Sequence, residues 1–284
     1  MLHRESRDDA ATLSNGNRAI DWVSKVPQVT LAFWIIKICA TTVGETGGDA
    51  LSMTMKLGYA VSSLIFMVFF AVTLAAQVTS KRYHPFFYWA VVVATTTVGT
   101  TMSDYLDRTV PVPKMLSPYL HRTEGLGYVV SSALLFCGVL AVLAAWRYFS
   151  GKIEFENIVT KKDEVFYWLT ILVSNTLGTA LGDFTADDLG LGFQRGALVF
   201  AGLIVLVALA HFFTKIPKSV LFWAAYVLTR PLGATLGDTL TKPHAQGGFD
   251  LSRIASSLVI AALMIVAILL TLRKKEPSSV ASVH

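Results

Sequence analysis

Four aspartates each close an otherwise apolar stretch, and each stands at the end of one spaced pattern: a Trp, a Gly ten residues on, a small residue four further, then the Asp. The quartets are Trp34, Gly44, Gly48, Asp49; Trp89, Gly99, Ser103, Asp104; Trp168, Gly178, Gly182, Asp183; and Trp223, Gly233, Gly237, Asp238. Carboxylates inside apolar segments are costly unless they are paired or used, so the repeat predicts four acidic groups at one depth of a membrane.

Composition agrees. Hydrophobic residues make up 54% of the 284 and charged ones 15%, which is outside the range of a soluble domain. Stretches of about 20 apolar residues predict eight transmembrane helices, at 28–49, 57–78, 84–105, 126–147, 164–184, 194–213, 217–239 and 252–272. The net charge of +5 does not point to nucleic acid, because its placement follows the membrane. Fifteen Lys and Arg fall on one side of an eight-span arrangement and seven on the other (Lys56, Arg108, Lys114, Arg122, Arg195, Lys242, Arg253). The positive-inside rule then places both termini in the cytoplasm. Residues 1–26 lack the apolar core of a signal peptide and read as a disordered cytoplasmic tail. Cys39 and Cys137 fall in separate predicted spans, where packing is their expected role.

Spacing sets the organisation. The first and third motifs lie 134 residues apart, as do the second and fourth. The expected fold is therefore all-α: a polytopic bundle of four parallel helical-hairpin repeats in two pseudo-symmetric halves, 27–147 and 164–273. A cytoplasmic linker, 148–163, joins the halves, and a second tail follows at 274–284. Units with an even number of spans share one orientation, about an axis along the membrane normal. Each Trp is expected as an interfacial anchor. Small residues near the start of the even helices (Gly58, Ser62 and Ser63; Gly127, Ser131 and Ser132; Ser252, Ser256 and Ser257) are expected as a packing face.

At 100° per residue, positions −2, +1 and +5 from each motif Gly fall on one stripe. That stripe carries Thr42, Glu45 and Asp49; Thr97, Thr100 and Asp104; Thr176, Thr179 and Asp183; and in the fourth unit only Asp238. Carboxylates, hydroxyls and carbonyls without clustered His or Cys suit hard cations such as Mg²⁺ or Mn²⁺. Protons are a candidate counter-substrate. Asp49, Asp104, Asp183, Asp238 and Glu45 are the expected metal ligands, supported by the threonines of the stripe and by Gly44, Gly99, Gly178 and Gly233. Set against Arg230 alone, they leave an excess of negative charge. Arg230 is expected to pair with one of the aspartates, and Lys37 to snorkel toward the cytoplasmic interface. His84, His211 and His244 match no repeat position.

The segments TTVGETGGD, TTVGTTMSD, NTLGTALGD and RPLGATLGD resemble a bacterial repeat family of unknown function found in integral membrane proteins, commonly labelled uncharacterised membrane-anchored proteins. The resemblance runs from about residue 28 to 272 and implies a bacterial inner-membrane protein; it brings no activity with it. The leading expectation is a transporter for a hard divalent cation, with no cofactor. The alternatives are a passive cation channel and a non-transporting scaffold, the latter marked by an oxygen stripe facing packed protein without a central cavity. No catalytic motif appears, so an enzyme is not expected.

Overall fold

The computed structural model describes residues 27–80, 83–115, 117–121, 123–151, 153, 158 and 160–275. The tail expected at 1–26, most of the one at 274–284 and part of the linker lie outside the described residues. Eight long helices correspond one to one with the eight expected segments: α1 Leu31–Asp49, α2 Gly58–Thr79, α3 Pro85–Arg108, α4 Tyr128–Ser150, α5 Lys161–Asp183, α6 Gly192–Phe213, α7 Lys218–Thr241 and α8 Arg253–Lys275. Among the described residues there is no strand beyond an isolated bridge between Pro111 and Glu124. Local chemistry explains several helix starts. The Thr30 and Thr160 hydroxyls accept from the backbone N–H groups of Phe33 and Asp163, and Pro85 occupies the first turn of α3.

The helices form two shells. Five segments are long and apolar enough to cross a membrane: α2, α4, α6, α8 and Lys161–Asp188. The first four of these are mostly exposed and present Leu64, Leu134, Leu198 and Leu263 outward, as lipid-facing helices do. The motif helices α1, α3, α5 and α7 lie inside, each packed on two others in the cyclic order α1, α3, α5, α7, α1. Like ends meet. Their first turns interlock through ring pairs Phe33–Trp89 at 5.5 Å, Tyr88–Trp168 at 5.3 Å, Tyr167–Trp223 at 6.1 Å and Phe222–Trp34 at 5.8 Å. Trp89 and Trp168 therefore depart from the expected interfacial belt, whereas Trp34 and Trp223 stay partly exposed. Trp89 and Trp168 are 3% and 1% exposed, because aromatic side chains fill the wide space between four helix ends.

The motif glycines close the same circuit. A methyl group at Gly44 would strike Thr96, at Gly99 Asn175, at Gly178 Arg230, and at Gly233 Thr41. Each motif glycine thus meets the residue three before the glycine of the next unit, and the fourth unit returns to the first. One turn on, Gly48 faces Thr100, Gly182 faces Ala234 and Gly237 faces Glu45. Such small residues let the backbones come close.

The hairpin expectation is revised in its packing. Each outer helix seats mainly on the motif helix of the following unit: α2 on α3, α4 on α5, α6 on α7, and α8 back on α1. The chain leaves α1 and α5 through π-helical turns, Ala50–Thr54 and Phe184–Asp188, whose wider coils carry it outward. The serines of the packing face are buried at Ser62, Ser63, Ser131 and Ser256. Gly58, the first residue of α2, and Gly127, the residue before α4, instead serve the chain's entry into these helices, at φ 75° in each case.

Candidate metal and ion-pair site

The motif helices stay helical through their glycines to the aspartates, so the site is built from side chains and not from unwound carbonyls. Asp49, Asp104, Asp183 and Asp238 are all nearly inaccessible, at 1–3% exposed. They form two pairs. Lys242 Nζ lies 3.2 Å from Asp238 and 3.3 Å from Asp49, and Arg253 from α8 approaches Asp49 at 3.6 Å. Across the ring, Arg108 lies 3.1 Å from Asp104 and 3.6 Å from Asp183. The Arg108 guanidinium also donates to the Tyr128 hydroxyl at 2.9 Å, and that hydroxyl donates to Asp187 at 3.1 Å.

Arg108 and Lys242 were counted from the sequence only as outer-side charges. The signal that reveals them is there. Each stands four residues after its Asp, and the two are 134 residues apart, so they occupy equivalent places in the two halves. With Arg253, they bring three cations to four aspartates, and the expected excess of negative charge falls to one in this layer.

One turn deeper, the +1 residues converge. The Arg230 guanidinium donates to Glu45 at 3.0 Å, to Thr100 at 2.6 Å and to Thr179. Three helices thus supply oxygens, while the fourth, with Ala234 at this position, supplies the cation. The partner of Arg230 is Glu45 and not the expected aspartate, because the +1 position of α1 faces it one turn below the aspartates. The −2 threonines stand apart from the site: Thr42, Thr97 and Thr176 donate to carbonyls one turn back in their own helices.

Lys37 corrects another expectation. It does not snorkel; it is fully buried, with its ammonium 4.2 Å from the centre of the Tyr226 ring. Cys39 is half-buried and Cys137 exposed, both as free thiols. His211 and His244 are exposed.

Glu45, Asp49 and Asp238 offer carboxylate oxygens that all lie within 4.8 Å of one another. Oxygens on opposite sides of a hard cation with bonds of 2.1–2.4 Å are about 4.2–4.8 Å apart. The triad fits such an ion with little movement. Asp49 Oδ1 is buried with no hydrogen-bond partner, which leaves this carboxylate one unused acceptor.

A sequence profile described as a repeat of unknown function (DUF347) matches this chain four times, over residues 32–83, 87–152, 166–216 and 221–276. No curated protein matches. No solved structure matches.

Proposed function

The chain belongs to the DUF347 repeat family, and from its buried carboxylate triad we propose that it is a membrane transporter for a hard divalent cation of the Mn²⁺ or Mg²⁺ kind. In this reading all eight helices cross a bacterial inner membrane as four parallel units, with both termini cytoplasmic. The carrying observation is the proximity of Glu45, Asp49 and Asp238, within 4.8 Å of each other, with Asp49 and Asp238 already bridged by the Lys242 ammonium. Lys242 is a tethered cation in a cation site. When a divalent ion enters, the ammonium withdraws and the ion takes over its carboxylate partners. Charge favours this exchange, because the aspartate layer without Lys242 holds two negative charges in excess.

The Arg108 pair differs. A guanidinium keeps its charge and its forked contacts, so Asp104 and Asp183 act as the locked counterpart of the exchangeable pair. The tight contacts of Gly44, Gly99, Gly178 and Gly233 around the ring favour a carrier that opens and closes over a passive channel. Protons are the natural counter-ion in this scheme. A scaffold is the second reading, favoured by one observation: each motif carboxylate has a basic partner.

The test is a metal-by-metal flux assay with purified protein in liposomes. The proposal expects uptake of Mn²⁺ or Mg²⁺ by the wild type, and loss of uptake in Asp49→Asn and in Asp238→Asn while both remain folded. Wild-type flux from those variants, or no metal flux from the native protein, sinks it.

A further inference from the structure

At three seams of the outer shell the chain runs on from the outer helix into the motif helix on which that helix seats: α2 into α3, α4 into α5 and α6 into α7. The fourth seam differs. α8 and α1 are the two ends of the repeat array, so they pack on each other with no chain connection between them. Two cavities lie along this seam. One, of about 420 Å³, is lined by the buried side chains of Phe33, Ile36 and Trp89 and by Leu272. The other, of about 470 Å³, is lined by Ile35, Ala267, Leu270 and Arg273. Ala32 and Thr271 line both, which makes them one cleft.

The cleft continues the lipid-facing surface, because Ile35 and Leu270 on its two sides are 50% and 57% exposed. A hydrocarbon chain is what a bilayer offers such a wall. One charged group stands at its rim. Arg273 is exposed and ends the apolar span Arg253–Arg273, which sets it at the depth of the lipid headgroups. Among the described residues no carboxylate lines either cavity, so the forked donors of this guanidinium suit a phosphate.

We propose that the α1–α8 cleft binds one anionic phospholipid, with an acyl chain along Ala32, Ile35 and Leu270 and its phosphate on Arg273. The lipid fills the one seam that the chain itself does not join. A free phosphate would gain nothing from the apolar walls, and a zwitterionic lipid brings a second cation toward Arg273. In the orientation proposed above this end of the bundle is cytoplasmic, the side on which anionic lipids gather. The site needs the membrane but not cation transport, so a failed flux assay leaves it standing.

The experiment is native mass spectrometry of the full-length, lipid-depleted protein in detergent, offered equal amounts of phosphatidylglycerol and phosphatidylcholine with identical chains. The first lipid bound should be phosphatidylglycerol by about fivefold, the weight of one Arg beside an anionic headgroup. Arg273→Gln should bring that ratio close to one, while Lys161→Gln, which removes an exposed charge at the same end of the bundle, should leave it unchanged. Ala32→Trp fills the cleft and should lower first-site occupancy by both lipids. Glycerol phosphate, the headgroup without chains, should not compete. Equal binding of the two lipids by the wild type, an unchanged ratio in Arg273→Gln, an equal fall in Lys161→Gln, full occupancy in Ala32→Trp, or displacement by glycerol phosphate would overturn the proposal.

Discussion

Lys242 is the residue on which the carboxylate layer turns. Its ammonium is shared by Asp49 and Asp238, so removing it strands Asp238 and leaves Asp49 with Arg253 alone. A broken buried ion pair costs about 3–5 kcal/mol, whereas removing both signs together is far milder. Lys242→Met should therefore lower the unfolding midpoint in detergent sharply, and Lys242→Met with Asp238→Asn should recover much of the loss. Equal midpoints for the wild type and the single variant would show that the bridge carries no such energy. At this scale the sequence was partly legible. The four aspartates and Glu45 could be picked out because they break apolar runs in register, and Arg230 because it sits inside a span. Arg108, Lys242 and Arg253 were obscured by a rule that assigns basic residues near span ends to loops. That rule places a residue along the membrane normal; it does not indicate whether the side chain turns toward water or toward a carboxylate one turn away.

Among the helices, length and periodicity gave the boundaries, because apolar runs and capping residues are local signals. Neighbour choice was harder to read. Sequential helices joined by short turns suggest hairpins, yet α2, α4, α6 and α8 seat on the motif helix of the following unit. The choice depends on the exit direction after each aspartate and on side-chain contacts far apart in sequence. One such contact is the hydrogen bond from Ser257 on α8 to the Thr46 hydroxyl on α1, at 2.8 Å. It ties the last helix to the first. Cysteines at Thr46 and Ser257 should oxidise to a disulfide, so that a chain cut in the 148–160 connection keeps its halves together on a non-reducing gel. Two separate fragments after oxidation would contradict the cyclic order.

For the whole molecule, closure of the ring turns a linear array of four repeats into one buried axis. Along it lie an aromatic plug, Lys37 with Tyr226, Arg230 with Glu45, and the aspartate layer. Duplication supplied the frame, and divergence within it made the layers unequal. Glu45 enriches the α1 side, Arg230 fills the place where a fourth oxygen would point, and Lys242 stands where the other half has Arg108. The pseudo-symmetry of the halves was visible in the 134-residue offset, but the charge balance required knowing which basic groups turn inward. That balance makes the Glu45, Asp49 and Asp238 triad the place where a cation exchanges with a tethered ammonium. The most direct test is equilibrium Mn²⁺ binding to the purified protein, read by electron paramagnetic resonance for the wild type and Asp49→Asn. The account predicts one saturable Mn²⁺ in the wild type, lost in a variant that still elutes as folded protein. Equal binding by both proteins, or no saturable binding by the wild type, would contradict it.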